Sequence, residues 1–215
     1  MRGEEEERVH ITRFVRVDEV ELDRLPRDLD EALQPQDRDA LRLGPAYFRQ
    51  LAKKAKYRWL VELLVYLGRS DRWHLEFRGI NDKPLLLYFR FSRCGCAGIS
   101  LPHWDKPDKT LPEVLRTLYG VIGGFRGSMY SVDQARLRGM NDLYTLSDSF
   151  EGIKGKNRAL ADKAIAFWDA KDHDILCFLK GEKNRGCWFR YKTWELDLVA
   201  DLKQEVGRLF KEMLD

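Results

Sequence analysis

No run of apolar residues in this sequence is long enough to cross a bilayer. The longest, around Leu60 to Leu67 and Leu85 to Phe89, fall well short of the ~20 that a spanning helix needs, so no membrane partner is expected. The N-terminus lacks the basic start and apolar centre of a secretory leader, reading Arg2-Gly3-Glu4-Glu5-Glu6-Glu7-Arg8 instead, which argues against secretion. Cysteine is scarce: four in 215 residues do not make a disulfide framework and suit a reducing cytoplasm. An excess of one charge is missing as well. With 38 Lys and Arg against 35 Asp and Glu, the net charge of +3 does not by itself select nucleic acid or a membrane surface.

Recognisable catalytic machinery is equally sparse. The histidines His10, His74, His103 and His173 are dispersed, and none has a Ser or Cys beside it in a nucleophile motif. Cys94-Gly95-Cys96 with His103 could offer thiolate and imidazole to zinc, but one intervening residue is fewer than the roughly two to four of a zinc knuckle. Gly120-Val121-Ile122-Gly123-Gly124-Phe125-Arg126-Gly127 invites a phosphate-loop reading. Such loops follow a strand and open a helix, whereas this one follows a predicted helix and reads as a helix stop with a tight turn. Asp169, Asp172 and Asp174, around Lys171 and His173, could bind a cation but equally fit a polar turn before a strand. Cys177 and Cys187 are expected as small core residues. No catalytic residue, metal site or cofactor is nominated, and the chain is not expected to be an enzyme.

What is present is enough apolar material for a core, 44% of residues. Val9 to Val17 alternates in part and predicts a first strand; residues 18–45, with acids, Pro26, Pro35, Gly44 and Pro45, predict irregular chain with at most short helical turns. From Ala46 to Leu67, Phe48, Leu51, Ala52, Ala55, Trp59, Leu63 and Leu67 recur at helical spacing, opposite a basic face of Arg49, Lys53, Lys54, Lys56 and Arg58. Trp73 to Arg78 and Leu85 to Phe91 flank turn-forming residues and predict a hairpin. Residues 92–110 read as a loop and place a domain boundary near residue 100. Residues 1–100 then form a mixed α/β portion whose fold the sequence leaves open, and 101–215 an α+β domain.

Thr110-Leu111-Pro112-Glu113 predicts a short helix with Thr110 as its cap, Val114, Leu115, Leu118 and Tyr119 as its buried face, and Gly123-Gly124 as its end. Between Ser128 and Gly155 the pattern is weak. The clearest signal lies in the last fifty residues. A strand from Asp174 to Leu179, a polar turn, and a second strand from Cys187 to Tyr191 lead into an amphipathic helix. In that helix Val199, Leu202, Val206, Leu209 and Met213 step by three and four, widened by Phe210 and Leu214. Gly207 lies off the stripe, where it costs roughly 1 kcal/mol relative to Ala in an exposed helix interior.

The Leu111-Pro112 helix, the Gly123-Gly124 pair, the run Ile165-Ala166-Phe167-Trp168-Asp169 leading into Asp174-Ile175-Leu176-Cys177-Phe178, and the closing helix together resemble the SUKH superfamily over about residues 105–215. That group includes the yeast cell-wall-assembly regulator and many bacterial immunity proteins. The resemblance implies an α+β domain with a bent, mostly antiparallel sheet, packed helices and a closing C-terminal helix. It also implies a cytoplasmic immunity-type binder that occludes a protein toxin, often a nuclease, encoded nearby. The family shares no catalytic residues to carry over.

An antidote to a nuclease meets a basic site, and clustered carboxylates give complementarity and fast association. Asp169, Asp172, Asp174 and Glu182 are therefore the expected partner-facing residues, with Trp188 as an aromatic anchor. A solvated turn with Trp188 in the core is the competing reading. The alternative function is a nucleic-acid-binding module using Arg49, Lys53, Lys54, Lys56 and Arg58, although basic runs on helices are usually only solvated faces.

Overall fold

A computed structural model describes residues 10–16, 31, 33–69, 74–80, 83–91, 97–102, 107–126 and 136–214. The acidic start, residues 18–30, and Cys94, Cys96 and His103 lie outside them. The strands are β1 (His10–Arg16), β2 (His74–Ile80), β3 (Lys83–Phe91), β4 (Ala97–Ser100), β5 (Gly124–Arg126), β6 (Arg136–Leu137), β7 (Tyr144–Thr145), β8 (Ala164–Asp169), β9 (Ile175–Leu179), β10 (Gly186–Arg190) and β11 (Glu195–Val199). The α-helices are α1 (Pro35–Leu43), α2 (Pro45–Ala52), α3 (Arg58–Leu67), α4 (Glu113–Tyr119), α5 (Leu146–Ser149), α6 (Lys156–Ala161) and α7 (Leu202–Leu214).

All strands join one antiparallel sheet, a meander from β1 to β6 and again from β8 to β11. The two short strands β6 and β7 share one edge of β8. Both expected hairpins are present, β2–β3 with a bulge at Arg78/Gly79, and β9–β10 with Cys177 opposite Cys187. Residue 100, where a boundary is expected, ends β4, whose two edges pair with β3 and β5. The larger core draws on both sides of it, from Phe48 and Leu60 to Leu115, Trp168 and Phe210.

Strands β8 to β10 are covered on both faces, which is why they read as nearly continuous apolar runs. Successive side chains still alternate across the sheet. Leu176, Phe178 and Trp188 enter the larger core beneath α1 to α4 and α7, while Ile175, Cys177, Leu179, Cys187 and Phe189 enter a smaller one with Leu146 of α5 and Ala161 of α6. A bulge between Ala166 and Trp168 lets the neighbours Phe167 and Trp168 both face the larger core.

Several expected elements differ. The single helix predicted from Ala46 to Leu67 is α2 and α3 joined by residues 53–57. Spacing alone does not see this break, because the buried positions on either side fit one periodicity. The chain turns where Lys53, Lys54 and Lys56 crowd like charges and where Tyr57 enters the core. Within the segment predicted to be irregular, α1 is a helix of nine residues. Pro35 sits in its first turn, where a missing N–H costs nothing, and the Asp37 carboxylate accepts from the Gln34 N–H at 2.9 Å.

Helix α4 buries the four predicted residues, yet Pro112 occupies its cap position and it stops at Gly120. The Thr110 N–H donates to Asp108, and Gly124 opens β5 opposite Ser100. Strand β11 intervenes before the last helix. Val199 ends that strand, and its three-residue distance from Leu202 mimics a helical step. The start of α7 is held by the β9–β10 turn: Asn184 accepts from the Lys203 N–H and donates to Asp201, whose carboxylate also accepts from the Gln204 N–H.

Gly207 is not an exposed helix position. Trp59 lies flat between Tyr57 and Phe210, with ring centroids 5.7 and 5.1 Å away, and its edge meets the backbone of α7 at Gly207. A Cβ there would lie 2.8 Å from Trp59 Cδ1, so either the stacked indole or the α7 backbone must shift to admit it. Gly207→Ala should therefore destabilise by roughly 1 kcal/mol net, overpacking outweighing the gain in helix propensity. Urea unfolding checks this, and an increase in stability would show that the indole can move.

Candidate functional site

The register of β9 and β10 puts two connections at one end of their hairpin, residues 170–174 leading into β9 and residues 191–194 leading out of β10. The first end collects exposed aromatic surface, Tyr191 at 42% and Trp194 at 41% exposure. Tyr191 meets His173 at 5.5 Å and Phe150 at 6.3 Å between centroids, and Phe150 and Phe189 each meet Trp194 edge-on at 5.9 Å. Gly152 lets the indole settle, since a Cβ there would lie 2.6 Å from Trp194 Cζ3.

Among the described residues, the non-glycine positions with left-handed backbone are Asp172 (φ 65°), His173 (φ 67°) and Trp194 (φ 60°). All three belong to this end. Such a conformation costs an L-residue on the order of 1–2 kcal/mol, so surrounding contacts must hold it. Trp194 N–H donates to the Arg190 carbonyl at 2.7 Å, Asp172 pairs with Lys192 at 3.3 Å, and Asp174 accepts from Arg190 at 2.8 Å and from the Tyr191 N–H at 3.0 Å.

The predicted partner-facing residues do not all converge there. Asp172 and Asp174 do. Asp169 is half-buried under Arg138 in a 2.6 Å ion pair, and Glu182 lies in the β9–β10 turn at the opposite end, paired with Arg185. Trp188 is buried, with its indole N–H donating to Glu205 at 2.8 Å and the Arg190 guanidinium over its ring, the core placement of the competing reading, and the aromatic rings exposed at this end are those of Tyr191 and Trp194. Arg208 foremost, and the Trp188 indole N–H, hold the Glu205 carboxyl below its ordinary 4.5 against the opposing effect of burial. A depressed folded-state value contributes stability above the ordinary Glu range that is lost as pH falls through the folded value. Glu205→Gln, which keeps an acceptor for the indole, should be less stable than the parent at pH 7 and approach it in acid. Urea unfolding at both pH values reads this.

The predicted basic face is divided by the break between α2 and α3. Arg49 donates to the Gly68 carbonyl, Arg58 pairs with Glu62 at 2.8 Å, and Lys56 pairs with Glu113. Lys53 and Lys54 are exposed in the connection. Lys56 alone of these lines a cleft of about 670 Å³. This cleft lies between the entry to α4, the β9–β10 turn and the first turn of α7. Its cations are Lys56, Lys109, Arg116, Lys183 and Lys203, and its carboxylates Glu113 and Glu182. Lys56 foremost, then Arg116 and Lys203, hold the Glu113 carboxyl below its ordinary range.

Tyr191 and Trp194 escaped the sequence because they sit where one strand was expected to run straight into a helix. Their signal was two aromatics separated by Lys192 and Thr193, outside any apolar period. Lys109, Lys183 and Lys203 carry no local signal, since remote segments bring them together. Among the described residues, no group of three or more His, Cys, Asp or Glu could hold a metal ion, and no helix is long and apolar enough to cross a membrane. Comparison with protein-family models, with curated proteins and with solved structures gives no match.

Proposed function

We propose that this chain is an immunity-type binding protein of the SUKH kind, acting in the cytoplasm by occluding a protein toxin of a bacterial competition system, with a nuclease the class its carboxylates suit. An α+β fold with an antiparallel sheet and a closing C-terminal helix supports that reading. The observation that carries it is the coincidence, at one end of the β9–β10 hairpin, of all three strained non-glycine backbones among the described residues with the exposed rings of Tyr191 and Trp194. Strain concentrates where a surface must be held in one shape, and rigid aromatics give contact area at low entropic cost. The surface ion pair of Asp172 with Lys192 is worth little by itself, so a partner's cations can take over the carboxylate cheaply. Co-expression with the toxin gene adjacent to its own should protect cells and yield a tight complex; neither protection nor binding would remove the proposal.

A second reading, a nucleic-acid-binding module on Arg49, Lys53, Lys54, Lys56 and Arg58, is favoured only by the exposure of Lys53 and Lys54. It requires salt-sensitive binding to RNA or DNA that neutralising these side chains abolishes, and no mobility shift at low salt would dispose of it.

A further inference from the structure

We infer that the cleft between α4, the β9–β10 turn and α7 is a binding site for a small oligophosphate, an anion of the size of tripolyphosphate or a nucleoside triphosphate. It lies at the opposite end of the hairpin from the partner surface, so either assignment can fail without the other.

Five cations and two carboxylates line the cleft, whereas the whole chain is nearly balanced at 38 to 35. The local excess is therefore not inherited from composition. Both carboxylates are engaged, Glu113 by Lys56 and Glu182 by Arg185, which lies outside the cleft. Lys109, Arg116, Lys183 and Lys203 make no salt bridge among the described residues. Like charges gathered in a concavity repel one another, and a bound polyanion relieves that repulsion.

The cations come from separate segments, ahead of α3, at α4, in the β9–β10 turn and at the start of α7. They surround a volume instead of forming a stripe. At about 670 Å³, that volume lies within the roughly 300–1,000 Å³ of small-ligand pockets. Arg116 offers a planar fork for two phosphate oxygens, and the lysines offer mobile point charges.

Single-stranded nucleic acid fits less well. Its binders stack bases on aromatic faces, and the one aromatic residue among those lining the cleft is Tyr57. That ring is 7% exposed, stacked on Trp59 at 5.7 Å, with the Lys203 ammonium 5.0 Å from its centroid. No face is left for a base.

Isothermal titration of the full chain with sodium tripolyphosphate, at low ionic strength and without divalent cations, tests the site. The parent should bind, K109E/K183E should weaken binding at least about tenfold, and K154E/K163E, with the same change of net charge at exposed positions outside the cleft, should stay within about twofold. Failure of the parent to bind, or equal weakening by the two double variants, would overturn the inference. So would tighter binding of a single-stranded oligonucleotide of similar charge, which would assign the cleft to nucleic acid.

Discussion

Phe210→Ala is expected to lose about 3–5 kcal/mol of stability, the range for deleting a fully buried aromatic ring. Phe210 has no exposed surface. One face stacks on Trp59 at 5.1 Å, and Trp168 of β8 meets the ring edge-on at 5.3 Å. The ring therefore joins α3, α7 and the sheet, and its removal leaves a cavity whose walls are two large indoles unable to collapse into it. Against a typical total of about 5–15 kcal/mol, such a loss brings the chain close to unfolding at ambient temperature. Chemical denaturation at 25 °C measures it, and a loss below about 1.5 kcal/mol would mean that α7 does not close the core in this way.

If the proposed toxin partner docks on this surface, Trp194→Ala is expected to weaken that complex by about 2 kcal/mol or more, roughly thirtyfold, as for a central aromatic anchor. The ring is presented by a strained turn and supported from beneath by Phe150, Phe189 and Gly152, so its exposed face is offered without a rearrangement that binding would have to oppose. Because the same ring contributes packing, the urea midpoint of the variant must be measured alongside affinity, and a fully folded variant with undiminished binding removes Trp194 from the interface. Asp172→Asn should act on association instead, lowering the on-rate and its salt dependence with little effect on stability.

The buried face of α4 and the stripe of α7 are legible in the sequence because each keeps helical spacing, and the β9–β10 hairpin because two short apolar runs flank a polar turn. The break between α2 and α3 is not, because residues on both sides keep the same spacing and only the packing of Tyr57 and Trp59 requires the turn. Strand β11 is hidden by Val199, which continues a helical step into Leu202. Gly207 looks like an exposed weakness until Trp59, almost 150 residues earlier, is placed against it. The same limit applies to function. Asp172 and Asp174 are legible as a polar turn, but the aromatic surface beside them depends on the turn after β10, and the basic cleft is assembled from segments that no local pattern connects.

Amide hydrogen exchange of the protein, alone and with the proposed toxin partner, tests the location of the proposed partner surface most directly. Protection on binding is predicted at residues 170–174 and 190–196. Unchanged exchange there, with protection at residues 109–116 and 181–184 instead, would contradict it.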